Sequence, residues 1–186
     1  MNVETAKPTR SDKQTSNKGQ AFVDYVINRC QTDNGLRAAL TRADNPATEY
    51  QSWEVLAGFH VNLEYENQRL PYATIGAAIA RAKAERNGAV SIGQAIARCY
   101  EDGNASDQAK AKLRRLLACD TVAEACRIVR PLLSLIESKT NSAVDYAGLL
   151  NDLLWFGHAD SQTRIKARWA QSFYGKNATE GEKGEA

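Results

Sequence analysis

Apolar residues along most of this chain recur with helical spacing. Phe22, Val26 and Cys30, with Val23 and Ile27, repeat every four residues, as a buried helical stripe requires. A turn signal at Asp33-Asn34-Gly35 ends that stretch, and a short helix follows with Leu36, Leu40 and Ala43 inward. Asn45-Pro46 reads as a cap with proline at the first helical position, opening a helix with Tyr50, Trp53 and Ala57 on one side. Pro71 is placed to start another, carrying Ile75, Ile79 and Ala82, and Asn87-Gly88 to stop it. Ser91 caps a helix with Ile92, Ile96 and Cys99 on one face.

The second half continues the pattern. Ser106 caps a helix containing KAKLRRLL, residues 110–117. Thr121 and Glu124 have the spacing of a capping box ahead of Val122, Cys126, Val129, Leu133 and Ile136. Pro131 falls inside that helix, where it removes one amide donor and should bend it. Lys139–Ser142 reads as a loop, Val144–Phe156 as a strongly apolar helix, and Gly157 as its stop. Asp160 then caps a last helix with Ile165, Trp169 and Phe173 inward. Alternating strand patterns are absent apart from a weak stretch at Val61–Tyr65, which reads as a loop or helix end. The fold class expected is all-α, with about eight or nine helices in two small helical-bundle domains. The division expected is a disordered polar tail over 1–19, an N-terminal helical domain over 20–102, a C-terminal one over 103–175 and a second disordered tail over 176–186. The turn at Asp102-Gly103-Asn104 marks the boundary.

Composition narrows the function classes. With 43% hydrophobic residues the chain can bury a core. The net charge of +2 does not announce a polyanion binder, so any positive surface has to be local. No apolar run approaches the roughly 20 residues of a membrane span, and the polar first twenty residues lack a signal-peptide pattern, so a cytoplasmic protein is expected. Cys30, Cys99, Cys119 and Cys126 form no CxxC, and with His60 and His158 they make no short-spaced metal set; buried reduced thiols are the expectation. No phosphate-binding glycine loop and no HExxH occur, and acidic pairs such as Glu64/Glu66 read as solvated turn residues. No enzyme, metal or cofactor is expected. The tryptophans Trp53, Trp155 and Trp169 lie on apolar stripes and read as core.

The basic residues point to chemistry. Lys110, Lys112, Arg114 and Arg115 give four cations in six residues with no acid among them. Arg127 and Arg130, and Arg164 and Arg168, are spaced to share helix faces in the same half of the chain. Alone, each such pair is most simply a solvated face. Together they outline a groove that could grip phosphate oxygens, which carries no base specificity. His158 reads as a surface or capping histidine, or as a phosphate contact.

The order of these motifs resembles a known family. DNG at 33–35 with Arg42 beyond it is followed by SIGQAIA at 91–97, the basic Leu-rich helix, RIVRPLL at 127–133, LLWFG at 153–157 and a final amphipathic helix. This is similar to the small subunit of the type I-E CRISPR Cascade complex, the CasB family, over roughly Phe22–Tyr174. The resemblance implies an all-helical, non-enzymatic subunit of an RNA-guided surveillance complex. Its partners would be the other Cascade subunits, a second copy of itself, guide RNA and target DNA. Two copies would help hold the guide–target duplex and stabilise the displaced strand of the R-loop, while a separate helicase-nuclease cleaves. Arg42, Lys112 and Arg130 match basic positions of the family, and Arg69 a further one; Lys110, Arg114, Arg115 and Arg127 join them on local charge alone. His158 stands where a lysine is expected, and Gln94 where a relative carries arginine. The alternative from a different class is a helical protein–protein scaffold whose cations are neutralised by neighbouring carboxylates.

Overall fold

The computed structural model describes residues 10–175, which form nine α-helices and two short 3-10 turns. The helices are α1 (Arg10–Thr32), α2 (Asn34–Arg42), α3 (Trp53–Gly58), α4 (Glu66–Ala82), α5 (Ile92–Arg98), α6 (Asp107–Leu117), α7 (Val122–Lys139), α8 (Tyr146–Trp155) and α9 (Ala159–Tyr174). No strand occurs among the described residues; Val90 and Val144 make one isolated parallel bridge. The chain is all-α, as its periodicity predicts. The polar tails expected at both ends lie outside the described residues for 1–9 and 176–186, whereas residues 10–19 already belong to α1.

The core is organised around α4. Every residue from Leu70 to Ala80 is buried, so this helix is covered on all sides rather than along one stripe. It packs on α7, α2, α1 and α8. Small side chains allow that approach: a Cβ on Gly76 would lie 3.3 Å from Leu40 and 3.4 Å from Phe22. Phe22 fills the space beside it, edge-to-face on Phe59 at 5.2 Å and on Tyr72 at 4.8 Å. A second seam joins α5 to α9, and a third α1 to α8. The turn at Asp102–Asn104 leads into a 3-10 turn at Gly103–Ala105, and helices from either side of it pack together.

Local capping follows the sequence closely in the second half. Thr121 Oγ1 accepts from the Glu124 amide at 3.2 Å, and Glu124 Oε2 accepts from the Thr121 amide at 3.3 Å. Asp145 Oδ1 accepts from the Gly148 amide at 2.9 Å at the start of α8. Pro131 lies inside α7 as expected.

Several expectations are corrected. Asn45-Pro46 opens no helix: Asn45 Oδ1 accepts from the Ala47 amide at 3.0 Å, and Thr48 Oγ1 donates to the Arg42 carbonyl at 2.6 Å. These short-range bonds hold a run of turns, and the α-helix waits until Trp53. In consequence Leu56 is the buried residue of α3, while Tyr50 is 59% and Trp53 39% exposed. Trp169 is buried, but Trp155 only partly so. α4 begins at Glu66, so Pro71 lies within it and costs one bond, to the Asn67 carbonyl. That helix also ends earlier than expected, at Ala82, with Lys83 in the left-handed region at φ 49°. α9 begins at Ala159 with His158 as its cap residue, and Asp160 sits in the first turn.

Candidate nucleic-acid interface

The basic side chains fall into two groups, those spent inside the fold and those left at its surface. Arg69 and Arg130 belong to the first. Glu49, 5% exposed, accepts from Arg69 Nε at 2.6 Å, and its other oxygen lies 3.8 Å from Arg130 Nη2. Arg69 Nη1 also donates to the Leu63 carbonyl at 2.6 Å, and its guanidinium stands 5.8 Å over the Trp53 ring. Arg130 Nε lies 3.7 Å from Asp44, which takes a 2.7 Å bond from Arg81; Arg81 in turn donates to Glu137 at 3.1 Å. Three arginines and three carboxylates thus form one chain of ion pairs from the turn after α2 across α4 to α7. It ties the irregular segment 43–52 to the core. The charges of Arg69 and Arg130 are compensated there.

The second group centres on α6. Ser106 Oγ accepts from the Ala109 amide at 3.4 Å at its start, and Asp107 complements its dipole. Ala109, Leu113 and Leu116 are fully buried and set the inward direction. At about 100° per residue, Lys110 and Arg114 run along one edge of that stripe and Lys112 and Arg115 along the other. The helix therefore offers two cationic edges. Lys110 lies 3.7 Å from Asp107, whose side chain is fully exposed, so that pair holds it weakly. Arg114 and Arg115 are exposed and Lys112 is half-buried, and none has a carboxylate within 4.0 Å among the described residues.

Arg127 lies on the helix that packs against α6. It is exposed on α7, and together with Lys166 its charge reaches Cys119 at the end of α6. Burial nevertheless dominates and pushes the Cys119 thiol up. Cys119 Sγ donates to the Arg115 carbonyl at 3.4 Å. Lys166 is shared with the exposed Asp120 at 3.4 Å. Arg42, at the end of α2, is exposed and donates to Gln51 at 3.2 Å. Arg164 donates to its own helix at the Asp160 carbonyl, and Arg168 pairs with Asp152. Of this pair, Arg168 is thus compensated by a carboxylate, whereas Arg164 is exposed with none within 4.0 Å among the described residues. His158 is exposed beside Trp155, ring centroids 5.0 Å apart, and its carbonyl accepts from Ser161 and Gln162.

The four cysteines are all buried and unpaired; burial pushes each thiol up, Cys126 to about 12. A thiol so held stays protonated and is a poor nucleophile. No helix among the described residues is long and apolar enough to cross a membrane.

Comparison with known proteins supplies context for this surface. The family model of CRISPR-associated protein Cse2 matches residues 36–174. A CRISPR-associated protein Cse2 of Thermus thermophilus is 33% identical over 107 residues, which is 56% of this chain and 59% of that protein. The match therefore spans about three fifths of the relative's length. Among solved structures, a Cse2-family protein of Thermus thermophilus superposes with a TM-score of 0.69 at 20% identity, over 85% of this chain and 98% of that one. A chain of a CRISPR RNA-guided surveillance complex gives 0.67 at 20% identity, over 86% and 92%. CasB of M. ruber gives 0.63 at 23%, over 84% and 92%. These structural likenesses are of fold.

Proposed function

This chain belongs to the CRISPR-associated protein Cse2 family, and on that premise we propose that it is a non-catalytic subunit of an RNA-guided CRISPR surveillance complex. It binds nucleic-acid backbone and stabilises the R-loop formed by guide RNA, target strand and displaced strand. The observation that carries this reading is the set of cations on α6, Lys112, Arg114 and Arg115, none of which has a carboxylate within 4.0 Å among the described residues. A near-neutral chain that spends Arg69, Arg81 and Arg130 in ion pairs leaves these at the surface. Arginine forks on a rigid helix suit phosphate oxygens and leave sequence unread. That fits a subunit serving any target. R-loop formation exchanges one duplex for another of similar stability, so a few backbone contacts can tip it.

Arg42 is assigned to the same task on a separate edge. Arg69 and Arg130 are assigned to holding segment 43–52, on the strength of their ion pairs. The reading is tested by titrating the full chain with a thymidine 20-mer at two salt concentrations. Salt-sensitive binding lost in a Lys112→Ala/Arg114→Ala/Arg115→Ala variant supports it. Equal binding by variant and wild type removes α6 from the interface.

A further inference from the structure

The face opposite in character to α6 is acidic and aromatic. From Ala43 to Gln68 the chain has five carboxylates and neither lysine nor arginine. Two of these, Asp44 and Glu49, are consumed by the ion-pair chain described above. Glu54, Glu64 and Glu66 are exposed, with no cation within 4.0 Å among the described residues. Among the described residues, the same segment holds three of the five large apolar side chains left exposed: Tyr50 at 59%, Trp53 at 39% and Tyr65 at 63%.

These side chains are presented by a braced scaffold. Tyr50 lies in the 3-10 turn Glu49–Ser52 and Trp53 one turn later, so three-residue periodicity sets them on the same side. The Trp53 ring is backed by Arg69, which is fixed by Glu49 and by the Leu63 carbonyl. The carbonyl of Leu63 in turn lies just ahead of Glu64, Tyr65 and Glu66, so the two parts of the surface are joined through one guanidinium. Ordered aromatic faces ringed by unpaired carboxylates attract cations and repel phosphates.

We infer that the surface made by Tyr50, Trp53, Tyr65, Glu54, Glu64 and Glu66 docks a lysine- or arginine-bearing segment of a neighbouring protein subunit, and not nucleic acid. The inference rests on the proposed membership of a multi-subunit complex. Charge complementarity selects the occupant. Cationic side chains lie over the rings while the carboxylates pair their heads, and the aromatic anchors supply the apolar area. The chain would then work with two faces of opposite sign, one for phosphate and one for protein.

The test uses the full chain and the remaining guide-loaded subunits of the complex, purified without it. Wild type, Trp53→Ala and Glu54→Lys/Glu64→Lys/Glu66→Lys are titrated onto that assembly, with circular dichroism reporting that each is folded. Both variants should associate at least about tenfold more weakly at low salt, with thymidine 20-mer affinity not reduced. Failure of wild type to associate overturns the subunit reading itself. Association of wild type with unchanged association of both variants overturns the docking surface alone. Self-association of wild type, measured by sedimentation and lost in the variants, would make a second copy the occupant and overturn the assignment to another subunit.

Discussion

Arg69 and Arg130 approach one carboxylate, Glu49, from two helices, at 2.6 Å from α4 and 3.8 Å from α7. Glu49 is 5% exposed, and Arg130 Nε and Nη2 are buried without a hydrogen-bond partner. Neutralising the acid would leave Arg69 without its carboxylate partner, and Arg130 with Asp44 at 3.7 Å, in a poorly solvated place. Glu49→Gln should cost about 3 kcal/mol, because breaking a buried pair strands the remaining charge. Urea unfolding measures this. A double variant with Arg130→Met should cost less than the sum of the two single changes, since each removes the other's penalty. Additive costs would mean that the two residues do not interact.

Gly93 on α5 faces α9 with no room for a side chain. A Cβ there would meet the Trp169 carbonyl and Ser172 Oγ, and would lie 2.8 Å from the Phe173 amide. Two of these atoms are backbone, so relief requires the helices to part. Gly93→Ala should destabilise the chain by about 1–3 kcal/mol, against the usual gain of alanine over glycine within a helix. Thermal unfolding of the variant checks the sign.

Leu153 lies on the buried face of α8 and is fully enclosed. Leu153→Ala should cost about 2–5 kcal/mol through lost burial and the cavity left behind. The same variant should keep its thymidine 20-mer affinity under conditions where it is folded, because no proposed phosphate contact lies on α8.

Asp152 reports on pH. Burial pushes its carboxyl above the ordinary value, against the pull of Arg168 and the 2.7 Å bond from Trp169 Nε1. A carboxyl raised in the folded state holds its proton more tightly there than in the unfolded chain. Its stabilising contribution is complete below the unfolded value, about 3.9, and is lost as pH rises through the folded one. Asp152→Asn has no such titration, so its stability relative to wild type should improve from about pH 4 to pH 7. A difference independent of pH would contradict this assignment.

The helices were legible in the sequence wherever a cap and a periodic stripe agreed. Thr121–Glu124, Ser106 and the stripe from Phe22 to Cys30 each gave the right element. The Asn45–Gln51 stretch was not legible for a physical reason. Asn45 and Thr48 satisfy backbone groups within their own turn, which competes with helix formation by means a single sequence does not rank. Trp53 then changes sides with the register. The family was legible from motif order. Which cations remain free was not, because the partners of Arg130 lie 81 and 86 positions away and only the fold brings them together. On α6 charge density sufficed for Lys112, Arg114 and Arg115, which have no carboxylate within 4.0 Å among the described residues.

Salt dependence distinguishes the α6 cations from general attraction. Each phosphate neutralised on a single strand contributes about 0.7 to the logarithmic slope of affinity against salt. Removing Lys112, Arg114 and Arg115 together should lower that slope by about 2. Arg168→Ala should leave it unchanged, because Arg168 is already paired with Asp152.

The central claim is met most directly by adding this chain back to a guide-RNA-loaded complex that lacks it, and measuring target-DNA affinity at two salt concentrations. Tighter target binding with wild type, larger at low salt and lost with the α6 triple variant, is the predicted result. An equal affinity with and without the chain at both salts would contradict a role in stabilising the R-loop.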